Sequence, residues 1–309
     1  MTDPAASPAA WQTPPPEDFD APRPPGPGAL LLFTVAFSLM MQIFMAVPYA
    51  LGFRFPVLHT PVVMVGFALV FTLAWAGAAW FWVSVRALPL TWLSFTPTRA
   101  PIRVWVLLAL LVPVTLVFGS NLDTLVLHAF PSLHRPDAQM EVLSEAMFEG
   151  PLAWVLVIGL GVVAAPVCEE LFFRGVVLRS LRSRAWGPLP AMAFTAALFS
   201  AVHLKVVGFL LLFTVGFVLA ALAEASRALF LPILFHALYN GLVLSISLGA
   251  QFLRTPELKP FSLTPPEPAA PALLPVGTAL LLLGLTAPLL AWLLFLIRRA
   301  LRPAPEVPS

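Results

Sequence analysis

The chain has 309 residues, 60% of them hydrophobic and only 10% charged, with a mean hydropathy of +0.92 and a formal net charge of +2. One water-soluble core of this size cannot bury that much apolar surface, so composition excludes an ordinary soluble domain and indicates a polytopic membrane protein. The slight basic excess, with a pI near 9.1, comes from arginines flanking apolar runs; it suits anionic headgroups and forms no nucleic-acid patch.

In chain order, residues 1–28 are rich in Pro and Ala and set Asp3, Glu17, Asp18 and Asp20 against Arg23. Such a stretch buries too little apolar area to fold alone and is expected to be a disordered cytoplasmic tail. It is not read as a cleaved signal peptide, because a basic start is missing and the first apolar run begins late. Eight runs approach the roughly 20 helical residues needed to cross hydrocarbon: 30–49, 62–85, 104–118, 151–176, 191–207, 209–225, 229–248 and 274–297. The predicted fold is therefore all-α, a polytopic membrane bundle of about eight transmembrane helices. Residues 29–150 supply the first spans and a connecting segment, 151–250 a central unit, and 251–309 a loop, the last span and a short disordered tail from Arg302. In the fifth run, Trp186-Gly187-Pro188-Leu189-Pro190 delays the helix start to near Ala191, and Lys205 falls in the outer half, where it would snorkel outward. The acidic stretch 137–149 reads as a connecting helix, with an interfacial helix gating access from outside as the alternative.

Twelve of the 17 basic residues fall on one side if the N-terminus is cytoplasmic: Arg23, Arg86, Arg99, Arg103, Arg174, Arg179, Arg182, Arg184, Arg227, Arg298, Arg299 and Arg302. The other side holds Arg54, Arg135, Lys205, Arg254 and Lys259. The positive-inside rule then places both termini in the cytoplasm. The single cysteine, Cys168, excludes an internal disulfide and a cysteine zinc site, and reads as a small polarizable filler.

Ionisable groups inside spans are costly and usually face a functional interior. Most carboxylates lie in tails or connecting segments, Asp123 among them. Glu224, three residues before Arg227, reads as an interfacial i,i+3 ion pair. Glu169 and Glu170 remain. Glu170 and Arg174 are four apart and share a helix face, so the guanidinium can hold that carboxylate; Glu169 projects about 100° away and is left free. A buried salt bridge serving only helix packing is the alternative for the pair. Pro166 cannot donate to the Val162 carbonyl, so a kink with a spare backbone acceptor is expected just before the acidic pair.

His203 and His236 fall on separate spans, where either could be a hydrogen-bonded interhelical residue. His236 and Asn240 are again four apart and face one way, a donor pair able to hold a developing oxyanion. At about 1.5 Å per residue, Glu169, His203 and His236 come to similar depths, roughly 13 to 18 Å from the basic helix ends. His59, His128 and His134 are read as solvated loop residues.

Glu169-Glu170-x-x-x-Arg174 within CEELFFRG, Phe199-x-x-x-His203 within FSAVH, and His236-x-x-x-Asn240 within LPILFHALYN resemble the three motifs of the CPBP family, the CAAX prenyl endopeptidases and bacteriocin-processing or abortive-infection proteases. The match covers about 151–245, with the motifs in family order. The resemblance implies peptide-bond hydrolysis within the membrane. On that reading Glu169 and His203 activate water, His236 and Asn240 stabilise the oxyanion, and Glu170 with Arg174 supports them. A membrane-associated peptide or protein terminus is the expected substrate, the bilayer is the other partner, and no nucleic acid is expected.

A mechanism of this kind needs no cofactor; a zinc ion on Glu169, His203 and His236 is the alternative. A proton-coupled transporter or a noncatalytic membrane partner is the rival class. The polar groups crowd one half of the chain without the two matching halves of many carriers, which disfavours a transporter. The preference for Arg over Lys, with abundant Ala and Pro, suggests a bacterial gene and a cytoplasmic-membrane location. Bacteria make no prenylated CAAX tails of their own.

Overall fold

The computed structural model describes residues 23–50, 61–93, 100–133, 155–254 and 273–301, with the side chains of 44–50, 61–68 and 250–254 left out. The expected disordered tails up to residue 22 and from Arg302, the acidic stretch 137–149, and Arg54, His59, His134, Arg135 and Lys259 lie outside the described residues. Eight helices follow one another: α1 Pro27–Ala50, α2 Pro61–Val85, α3 Ile102–Ala129, α4 Val155–Ser183, α5 Pro188–Ala201, α6 Phe209–Ser226, α7 Phe230–Arg254 and α8 Val276–Ala300. Among the described residues there is no strand, and the fold is the helical membrane bundle that the apolar runs predict.

Among the described residues five helices are long and apolar enough to cross a membrane: α3, α4, α6, α7 (over Phe230–Gly249) and α8. With their exposed apolar surfaces, such as Val106, Leu110, Leu285 and Phe295, they make the chain an integral membrane protein. Helix α5 has 14 residues, about 21 Å at 1.5 Å per residue, and stops short of the roughly 30 Å hydrocarbon layer.

That short helix corrects one expectation. His203 does not lie within a span; it sits just past the C-terminal end of α5, in the link 202–208. Leu204 (φ 52°) and Gly208 (φ 99°) turn the chain there through left-handed conformations, and Lys205 stays out of a helix. Helix α3 differs in the other direction. It continues through Pro113 to Ala129 and so carries Asn121 and Asp123 into the bundle as buried residues. His128, expected in a loop, is near the end of that helix, 2.7 Å from the Leu274 carbonyl before α8.

Two cores share α6. One joins α1, α2, α4 and α5 through Trp75, Trp82, Phe172, Phe173 and Phe199, with Ala220 and Ala223 from α6. The other joins α3, α7 and α8 through Leu108, Leu111, Phe235 and Ile297, with Leu219 and Leu222 from α6. Lipid tails are as apolar as leucine, so these helices are held by close packing and polar contacts rather than by water exclusion.

The arginine-rich ends are tied by specific contacts. Arg182 Nε meets Glu224 Oε1 at 3.0 Å, a salt bridge that crosses from α4 to α6. Arg184 donates to the carbonyls of Pro24 (2.7 Å) and Pro25 (3.3 Å); the last residues of the expected tail are packed against the α4–α5 turn.

Candidate active site

Helix α4 changes winding twice around the acidic pair. Ile158–Ala164 and Leu171–Leu178 are π-helical, while Ala165–Glu170 is α-helical. Pro166 has no N–H for the Val162 carbonyl, and the helix is more widely wound just before it. A spare carbonyl does result: Gly161 O accepts Asn240 Nδ2 from α7 at 2.9 Å. π-Turns inside α-helices are frequent at functional sites.

Glu170 and Arg174 are fully buried, and Arg174 Nη1 donates to Glu170 Oε1 at 2.6 Å. Arg174 Nη2 donates to Gly216 O on α6 at 2.9 Å, and its guanidinium lies 4.9 Å from the centre of the Phe199 ring. One arginine thus links α4, α5 and α6 by two charge-assisted bonds and a ring face. Gly216 makes this possible, because a Cβ there would come within 3.1 Å of Ala196 Cα and Phe199 Cδ1. Gly216→Val is therefore expected to force α5 and α6 apart at a cost of about 1–3 kcal/mol. Thermal unfolding in detergent should show the lowered midpoint, and an unchanged midpoint would rule out the tight crossing.

His236 comes from α7 onto the same carboxylate. Its Nδ1 lies 3.0 Å from Glu170 Oε1 and its Nε2 lies 3.9 Å from Glu169 Oε2. Because Glu170 already accepts from Arg174, it acts as a carboxylate and the His236 Nδ1 carries the proton. Glu169 is nearly buried, at 9% exposure, and has no direct hydrogen bond to the imidazole at that distance.

The Phe199 ring is the common wall. It packs at 4.8 Å from the His203 ring and 5.8 Å from the His236 ring, centre to centre. His203 Nδ1 lies 2.7 Å from the Phe199 carbonyl. A carbonyl only accepts, so Nδ1 is the protonated nitrogen and the neutral ring keeps a bare Nε2. Glu169, His236 and Lys205 are the charged groups that bear on this ring.

The seven named residues of the three motifs, Phe199 included, thus occupy the region where α4, α7 and the end of α5 with its link to α6 meet. Glu169, Glu170, Arg174 and His236 form one cluster, His203 joins it across Phe199, and Asn240 is held to α4 through Gly161. Among the described residues no group of three His, Cys, Asp or Glu side chains is placed to hold a metal ion. Cys168 is buried and free. Sequence reasoning left out Asp123, whose carboxylate is buried in α3 beside the first turn of α6. The one signal for it was a charge within reach of an apolar run that ended early.

Neither a curated protein nor a solved structure matches the chain. Residues 151–242, a segment that starts just before α4 and runs through Asn240, match the model of the family described as Type II CAAX prenyl endopeptidase Rce1-like, in agreement with the resemblance carried by the three motifs.

Proposed function

We propose that the protein is an intramembrane peptidase that hydrolyses a peptide bond of a membrane-associated peptide or protein terminus by water activated on Glu169 and His203. The family match supports an intramembrane protease in general. The single observation that carries the finer reading is the fixed tautomer of His203. With Nδ1–H committed to the Phe199 carbonyl, Nε2 is an acceptor able to orient a water whose proton Glu169 removes.

The hydroxyl attacks the carbonyl carbon, and the electron pair of the C=O bond moves to oxygen. That oxyanion is met by His236 Nε2–H and by the second amide hydrogen of Asn240, the first being held by Gly161. His236 donates Nδ1–H to Glu170 in a hydrogen bond, so it can donate from Nε2 as well only as an imidazolium. Collapse of the intermediate breaks the C–N bond, and Glu169 returns its proton to the leaving amine. Glu170 and Arg174 hold His236 and the helices in register and do not touch the reacting atoms.

The basic ends of α4 and α8 and the start of α3 mark the cytoplasmic side, with both termini there, in a bacterial cytoplasmic membrane. The test is a comparison by mass spectrometry of membrane peptides between cells carrying the wild type and cells carrying Glu169→Gln. Intact precursors should accumulate with the variant and shortened products with the wild type; identical profiles would defeat the assignment. For the peptide so identified, cleavage in liposomes should stay within about twofold when EDTA or 1,10-phenanthroline is added, since the mechanism routes no charge through a metal. Loss of cleavage restored by zinc would overturn the metal-free route.

A further inference from the structure

The link 202–208 that carries His203 is fastened at its start by α5 itself. His203 bonds the Phe199 carbonyl, and Ser200 Oγ donates to Phe209 O at 2.6 Å, joining the last turn of α5 to the first of α6. Its far end is fastened from another helix. The carboxylate of Asp123 of α3, 8% exposed, faces the backbone N–H groups of Gly208, Leu210 and Leu211. These are the unpaired donors of the first turn of α6, where Gly208 at the N-cap has no side chain of its own to offer.

One turn before Asp123, Gly119 lies on the same face of α3. A Cβ there would fall 2.5 Å from Leu211 Cδ1 and 3.0 Å from Leu211 Cα, so the α3 backbone rests directly against the turn that Asp123 caps. A carboxylate in an apolar bundle is costly unless its oxygens are bonded, and the positive end of a helix offsets that cost. Glycine and carboxylate, four residues apart, together fix where α6 begins, and hence where the seven-residue link places His203.

We infer that Asp123 is a positioning residue for His203, supplied by α3 from outside the matched segment 151–242. The inference rests on the proposed role of His203 in activating water, but its measurement does not. Full-length protein labelled with 15N-histidine in lipid nanodiscs gives the ring signals, that of His203 being the one lost in His203→Gln. The wild type should show one tautomer there, protonated at Nδ1 and bare at Nε2.

Asp123→Leu should convert that signal to a tautomer mixture and speed hydrogen exchange of the amides at 208–211 at least tenfold, leaving the α4 amides unchanged. Asp123→Asn, which keeps a capping oxygen, should restore both. Asp123→Ala adds no bulk and decides the matter if the leucine variant does not fold. A folded Leu or Ala variant with the wild-type ring signal overturns the inference, even if exchange at 208–211 rises, because Asp123 would then be only a helix cap. A wild-type protein that shows these signals yet cleaves no membrane peptide would defeat the peptidase reading and leave the positioning of His203 in place.

Discussion

Glu169→Gln is expected to reduce peptide cleavage in liposomes by about 10³-fold while leaving the fold intact. A positioned general base contributes roughly 10²- to 10⁴-fold, and the amide has the shape of the carboxylate without its basicity. Folding should survive because Glu169 is the one member of the cluster without a short bond: His236 Nε2 is 3.9 Å away, whereas Glu170 is held at 2.6 and 3.0 Å. The unfolding midpoint in detergent should move by no more than about 1 kcal/mol in equivalent stability, since loss of a long, partly screened contact is worth little. A transporter or scaffold makes no use of a base at this position and would keep its function. Full cleavage by a folded Glu169→Gln protein would remove Glu169 from the mechanism.

The helices and the site were legible in the sequence to different depths. Apolar runs placed eight helices because a bilayer demands long uninterrupted stretches, and the four-residue spacings of Glu170 with Arg174 and His236 with Asn240 fixed which side chains share a face. Backbone events were not legible. The stop of α5 at Ala201 depends on positive φ values at Leu204 and Gly208, which composition does not announce at a leucine.

The continuation of α3 through Pro113 is of the same kind, since a proline mid-helix is tolerated in membranes when neighbours satisfy the freed groups. Partners across helices were also hidden. Arg182 reaches Glu224 from another helix, 42 residues away in sequence. Asp123 finds its donors about 85 residues further along the chain, at Gly208 to Leu211, a separation that no periodicity encodes. Local spacing could nominate the candidate site groups, but several of the contacts that hold them in place are tertiary.

Arg174→Leu should have the largest effect on stability, and its pairing with a second change separates support from chemistry. The guanidinium is fully buried, donates to Glu170 and to Gly216 O, and covers the Phe199 ring. Removing it leaves the Glu170 carboxylate buried with only the His236 Nδ1–H, a defect worth about 3–5 kcal/mol. Arg174→Lys should also fail, because a single ammonium cannot make both bonds and lie over the ring. The double change Glu170→Leu with Arg174→Leu removes both charges together, and a well-packed apolar replacement of a buried ion pair is often neutral or stabilising. Its unfolding midpoint should therefore recover most of what the single change lost. Cleavage should not recover, since His236 would have lost the acceptor that fixes Nδ1–H and orients the ring toward the oxyanion. A double variant as unstable as the single one would show that the pair is not the source of the defect, and a stable, active one would strip Glu170 of its part in orienting His236.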